Sequence, residues 1–99
     1  AFFADVISAE QAEEFGIVNK VVPHEQLDAE TQDWANRLAA GPPLALAMTK
    51  RMLTLNASND FKSALEAEGM AQTVNFYTSD TKEAVAAFLD KREPKFEGR

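Results

Sequence analysis

The sequence predicts an all-α fold of about five helices, with one short extended segment near residues 17–22. Apolar residues recur at helical spacing through most of the chain. Capping residues, Gly and Pro separate these recurring stretches, as expected for helix ends. Only residues 17–22 form a β-branched apolar run, which favours an extended backbone and stops at Pro23.

The first helix is predicted between Ser8 and Gly16. Ser8 is spaced as an N-cap, with Gln11 three residues later as its reciprocal partner. Gly16 lies where a left-handed residue ends a helix, because glycine adopts positive φ without a steric cost. The first helix is therefore expected to end at Gly16, ahead of the extended segment.

Three longer helices are predicted next. The second covers residues 24–40, and the third begins at Pro43, a residue suited to the first helical position, and runs to about Ala57. The fourth begins at Phe61 and contains Gly69. Because glycine lowers helix stability by about 1 kcal/mol relative to Ala, Gly69 predicts close packing against another backbone.

The last helix is predicted from a cap at its start and a Pro after its end. Asp80 and Glu83 have the spacing of an N-cap and its reciprocal partner. Lys91 and Arg92 are predicted in the last turn, where the helix dipole favours cations. Pro94 cannot continue the helix.

Composition indicates one small globular domain that binds neither nucleic acid nor membrane. The chain has 99 residues, 45% hydrophobic residues and a net charge of −6. An acidic chain neutralises phosphates poorly, and no stretch is long and apolar enough to span a bilayer. A cytoplasmic location is expected. The apolar opening of residues 1–7, without Met, is expected to be a cut inside a larger protein.

No residue pattern predicts a catalytic or metal-binding group. The chain has no Cys, and His24 is its one His, predicted to be structural or exposed. Glu13 and Glu14 are adjacent, so they point apart on a helix and indicate a solvated acidic face. The sequence holds no Gly-rich phosphate loop and no Ser/His/Asp set.

Two motifs resemble signatures of the enoyl-CoA hydratase/isomerase (crotonase) family. The sequence A-A-F-L-D-K-R-E-P-K-F, residues 86–96, resembles the family's closing A-F-x-E-K-R-x-P-x-F, with Asp90 in place of Glu. Residues 8–23 resemble the family's I-x-A-x-E-A-x-x-x-G-L-V-N-x-V-V-P, with Ile17 in place of Leu. Phe3 and Ala4 stand where the family often has Thr-Gly, near its acyl pocket, which puts substrate preference in doubt.

The resemblance implies the last third or so of a family member. Residues 1–23 would be the end of the core domain and residues 24–99 a helical oligomerisation region, as in the family's trimers and hexamers. The intact protein would hydrate a 2-enoyl-CoA in acyl-CoA or fatty-acid metabolism, although isomerases also belong to the family. The family's oxyanion hole and catalytic Glu residues match nothing here, so the chain alone is expected to lack hydratase activity.

The resemblance also implies a ligand contact at Phe88 and Lys91. These positions match the family's Phe and Lys that help hold the adenine and phosphates of coenzyme A bound to a neighbouring subunit. Acyl-CoA is then a substrate, and no cofactor is expected. The alternative is that Phe88 is a core residue and Lys91 a partner of the helix dipole. A different class also stays open, a stand-alone acidic helical interaction module without catalysis.

Overall fold

The computed structural model describes residues 2–99 and folds them into α-helices with no β-strand. A single 3-10 turn, His24–Gln26, precedes the second helix. The α-helices are α1 (Ala9–Glu14), α2 (Leu27–Ala39), α3 (Pro43–Asn56), α4 (Phe61–Phe76) and α5 (Ser79–Asp90). The predicted all-α class with about five helices is confirmed.

The chain divides into two compact units, the first ending at Ala35 and the second beginning at Asn36. The first unit contains α1, the 3-10 turn and most of α2. There the Glu30 carboxylate accepts hydrogen bonds from Lys20 Nζ at 2.5 Å and Trp34 Nε1 at 2.7 Å. In the second unit α3 packs against α4, and α4 contacts α5.

The local signals around α1 are confirmed. Ser8 Oγ accepts the Gln11 N–H at 3.2 Å, and Gln11 Oε1 accepts the Ser8 N–H at 2.9 Å, which completes the capping box. Gly16 has a φ of 71°, the left-handed conformation predicted for it. Residues 17–19 bend and residues 20–22 have no regular structure. The segment forms no strand in the described chain, since a strand needs a paired neighbour.

Glycine at position 69 does not have the close packing that the sequence predicted. A Cβ placed on Gly69 would meet no atom within 4 Å, so no other backbone of the described chain approaches it.

The starts of α3 and α4 are set by local residues. α3 begins with Pro43 in its first turn, as predicted. The Asp60 carboxylate caps α4 by accepting the Ser63 N–H at 2.8 Å.

The last helix begins and ends at different residues from those predicted. Its N-cap is Thr78 and not Asp80, because the Thr78 hydroxyl donates to the Asn75 carbonyl at 2.7 Å and accepts the Thr81 N–H at 3.2 Å. The helix ends at Asp90, so Lys91 and the residue after it lie beyond the last turn.

Burial in the described chain is concentrated on α5 and its cap. Ala87 is the buried hydrophobic residue, 1% exposed, and Thr78 and Asp80 are the buried polar ones, 8% and 3% exposed. Large apolar side chains elsewhere stay exposed, among them Leu53 and Phe61. The described chain therefore closes little apolar surface on itself.

Candidate functional site

The residue after α5 has an unusual backbone conformation. Lys91 has φ 53° and ψ 42°, in the left-handed region that helix ends usually fill with Gly. Its N–H lies against the carbonyls of Ala87 and Phe88, and the Arg92 N–H donates to the Ala87 carbonyl at 3.0 Å. A left-handed residue other than Gly costs about 1–2 kcal/mol, so other contacts must offset this conformation.

The two residues predicted to contact a ligand lie together at this end of α5. Phe88 is 82% exposed, which excludes the alternative that it is a core residue of the described chain. Lys91 is also exposed and follows three residues later. An aromatic face and an ammonium group therefore reach solvent at the same helix end, where the exposed helix carbonyls also favour a cation. Ligand contact by either residue stays a prediction.

A bidentate ion pair joins the residue after Lys91 back to α5. Arg92 Nη1 lies 2.5 Å from Glu83 Oε1, and Nη2 lies 2.9 Å from Oε2. The Lys95 N–H donates to Glu83 Oε1 at 2.9 Å. The hydrogen bonds from Arg92, followed by that from Lys95, lower the pKa of Glu83 from 4.5 to about 2. The same pairing raises the pKa of Arg92.

A second carboxylate holds the end of the tail. Asp80 Oδ1 accepts the Glu97 N–H at 2.8 Å, and Oδ2 accepts the Gly98 N–H at 2.9 Å. The Arg99 carbonyl in turn accepts the N–H groups of Ser79 at 2.6 Å and Asp80 at 3.3 Å. Residues 92–99 are therefore a strap along α5, attached near both ends, and this strap is called the C-terminal strap below.

Sequence reasoning missed the strap although it noticed both carboxylates. The D-x-x-E spacing was interpreted as an N-cap with its partner, whereas the same spacing puts Asp80 and Glu83 on one face of α5. That face is where the strap lies. Helical spacing identifies the shared face, and the partners that lie up to 18 residues later are visible only in the structure.

The arginines and lysines at the end of the described chain differ in their ion pairing. Arg92 pairs with Glu83, and Arg99 pairs with Glu97. Neither Lys91 nor Lys95 makes an ion pair through its side chain within residues 2–99. At the end of the described chain, these two lysines therefore keep ammonium groups that no carboxylate neutralises directly.

Within residues 2–99, neither a metal-binding cluster nor a membrane-spanning helix is found. Between residues 2 and 99, no group of three His, Cys, Asp or Glu side chains is arranged to hold a metal ion. His24 lies exposed in the 3-10 turn. No helix in this range combines the length and the apolar character that a membrane crossing requires.

Residues 1–99, the entire chain, match the family model described as enoyl-CoA hydratase/isomerase. The chain belongs to the enoyl-CoA hydratase/isomerase family, which confirms the resemblance of its two motifs.

Relatives within the family are hydratases and an isomerase. The chain is 37% identical over 95 residues to a crotonyl-CoA hydratase of Syntrophomonas wolfei, covering 96% of this chain and 36% of that protein. It is 34% identical over 99 residues to the 1,2-epoxyphenylacetyl-CoA isomerase of Escherichia coli K12, covering 100% of this chain and 38% of that protein. The chain therefore spans a little over a third of these relatives.

Solved structures show the same partial correspondence. An enoyl-CoA hydratase/isomerase of Mycobacterium abscessus superposes with a TM-score of 0.92 at 36% identity, over 99% of this chain and 38% of that one. An enoyl-CoA hydratase subunit of Geobacillus kaustophilus gives 0.87 at 41% identity, over 94% and 36%. The matched structures are enoyl-CoA hydratase family proteins, and this chain corresponds to a little over a third of each.

Proposed function

We propose that residues 1–99 form the C-terminal helical part of a protein that adds water across the double bond of a 2-enoyl-CoA thioester. The family match over the whole chain supports this. Two relatives are named crotonyl-CoA hydratase and short-chain-enoyl-CoA hydratase, the second from Clostridium acetobutylicum and 35% identical over 97 residues. Fatty-acid or other acyl-CoA metabolism in the cytoplasm is the setting that we propose.

Within that protein the end of α5 contacts coenzyme A. Phe88 offers an exposed aromatic face for the adenine ring, and Lys91 offers an ammonium for the phosphates. The observation that carries this role is the left-handed backbone at Lys91. Residues that keep a costly conformation concentrate at functional sites, and a Gly here would remove the cost but also the charge.

The chain also contributes to assembly. Exposed apolar side chains on α5, at Val85, Phe88 and Leu89, are 56%, 82% and 73% exposed. Apolar patches of this kind mark protein contacts. We propose that they pack against other parts of a homotrimer or hexamer, with Phe88 shared between that packing and coenzyme A.

Steady-state kinetics of the intact protein test the ligand contact. Lys91→Ala should raise the KM for a short 2-enoyl-CoA about tenfold, with kcat unchanged, because an interaction made equally in ground and transition states is lost. The loss should shrink at high salt, since salt screens the phosphate charge. Lys62→Ala, an exposed lysine on α4, is the matched control and should leave KM unchanged. An unchanged KM in Lys91→Ala would remove the ligand contact.

A helical interaction module without catalysis is the second candidate. The large exposed apolar surface favours this candidate, because such a surface can bind another protein whether or not the chain takes part in catalysis. An immunoblot of the source cells with an antibody against this chain separates the two. A band near 10.9 kDa supports the module, and a much larger band supports the enzyme.

A further inference from the structure

We infer that Glu83 is a positioning residue for coenzyme A binding: by holding Arg92 it fixes the turn that presents Lys91 to the ligand phosphates. The inference rests on the proposed contact between Lys91 and coenzyme A. Glu83 itself does not touch the ligand and acts through the residue that follows Lys91.

The Glu83–Arg92 ion pair restrains both the orientation of the turn after α5 and its distance from the helix. Both oxygens of Glu83 bind the guanidinium of Arg92, at 2.5 and 2.9 Å. A bidentate pair fixes the plane of the guanidinium, which a single contact would leave free to rotate. Glu83 also accepts the Lys95 N–H at 2.9 Å. Glu83 therefore attaches the chain to α5 at two residues on the C-terminal side of Lys91, Arg92 and Lys95.

The attachment matters because the conformation of Lys91 is costly. Its φ of 53° is uncommon for a residue with a side chain. Helix ends fray readily when their last contacts are weak. With Arg92 released, Lys91 can relax to negative φ, which changes the direction in which its side chain leaves the backbone.

The strap has a second anchor that does not involve Glu83. Asp80 holds the N–H groups of Glu97 and Gly98 and is 3% exposed. Loss of Glu83 therefore loosens the turn at residues 91–95 while Asp80 still holds the end of the strap. A Glu83 variant is expected to fold, which makes its effect on ligand binding measurable.

For Glu83→Gln, electrostatics alone predicts a change in coenzyme A affinity opposite to the change that a positioning role predicts. Glu83→Gln removes a negative charge close to the proposed phosphate site and leaves Arg92 with less neutralisation. If charge dominated, coenzyme A would bind more tightly to this variant. If Glu83 positions Lys91, coenzyme A binds more weakly despite the gain in positive charge. The direction of the change therefore distinguishes the two effects.

A double-mutant cycle in the intact protein tests the inference. KM for a short 2-enoyl-CoA is measured for the unmodified protein, Glu83→Gln, Lys91→Ala and the double variant. Glu83→Gln should raise KM about threefold to tenfold with kcat unchanged, and should add nothing in the Lys91→Ala background, because both changes remove one coupled interaction. Glu66→Gln is the matched control: it replaces an exposed carboxylate on α4 by a carboxamide and should leave KM unchanged.

Arg92→Lys provides an independent check. It keeps the positive charge but loses the bidentate geometry, so it should raise KM in the same direction as Glu83→Gln. A KM that falls or stays unchanged in Glu83→Gln would overturn the inference, as would additive effects in the double variant. If Lys91→Ala alone leaves KM unchanged, the proposed ligand contact is what fails.

Discussion

At the scale of single residues, Asp80 is the buried carboxylate on which the C-terminal strap depends. It is 3% exposed and accepts two backbone N–H groups. Asp80→Ala leaves both donors without this partner, at a cost of about 1–3 kcal/mol. Urea unfolding of the chain should show this loss. Asp5→Ala, an exposed Asp in the irregular segment before α1, is the control and should change stability by less than about 0.5 kcal/mol. Equal stabilities for the two variants would contradict the anchoring role.

Lys91 illustrates a conflict between stability and the proposed ligand contact. Replacing it by Gly relieves the left-handed backbone, whereas replacing it by Ala does not. Lys91→Gly should therefore be about 1 kcal/mol more stable than Lys91→Ala, a rise in Tm of about 4–8 °C in a domain of this size. Thermal unfolding monitored by circular dichroism measures the difference. Equal Tm values would show that residue 91 does not keep a positive φ in solution.

At the scale of elements, α5 and the C-terminal strap form one unit whose stability depends on pH. The folded pKa of Glu83, about 2, lies below its ordinary value of 4.5. A lowered folded pKa stabilises the folded state above pH 4.5, and this contribution is lost as the pH falls from about 4.5 to about 2. Asp80 and Asp90 on α5 and Glu97 in the strap also bind residues of the strap.

Hydrogen exchange of the Lys95 amide measures how readily the C-terminal strap opens between pH 4.5 and 2. Its N–H donates to Glu83, so exchange, corrected for the intrinsic pH dependence, should accelerate between pH 4.5 and 2. In Arg92→Gln the main cause of the lowered pKa is gone, so the acceleration should begin at a higher pH. Identical profiles for the two proteins would separate strap opening from the Glu83–Arg92 pair.

At the scale of the whole molecule, exposed apolar surface should lead the chain to self-associate. Leu89 on α5 is 73% exposed and Leu53 on α3 is 72% exposed. Sedimentation equilibrium should give an average mass that rises with concentration above 10.9 kDa. Leu89→Glu should lower that mass, since it places a charge in the α5 face. A sharp monomer at high concentration would contradict the proposed role in assembly.

Much of the fold was predictable because its signals are local. The Ser8–Gln11 capping box, the left-handed Gly16 and the Pro43 helix start each depend on residues within one turn. The cap of α5 was predicted wrongly because Thr78 and Asp80 can both cap a helix. The Thr78 hydroxyl is held by Asn75, while the strap engages the Asp80 carboxylate.

The sequence by itself determined the helical class, the number of helices and the family. These follow from helical periodicity and from motifs of fixed spacing. Only the tertiary structure decided that Lys91 is left-handed, that Phe88 is exposed and that Glu83 holds Arg92. The reason is physical: helical spacing specifies neighbours three or four residues apart, whereas a contact across nine or more residues depends on where the chain turns back.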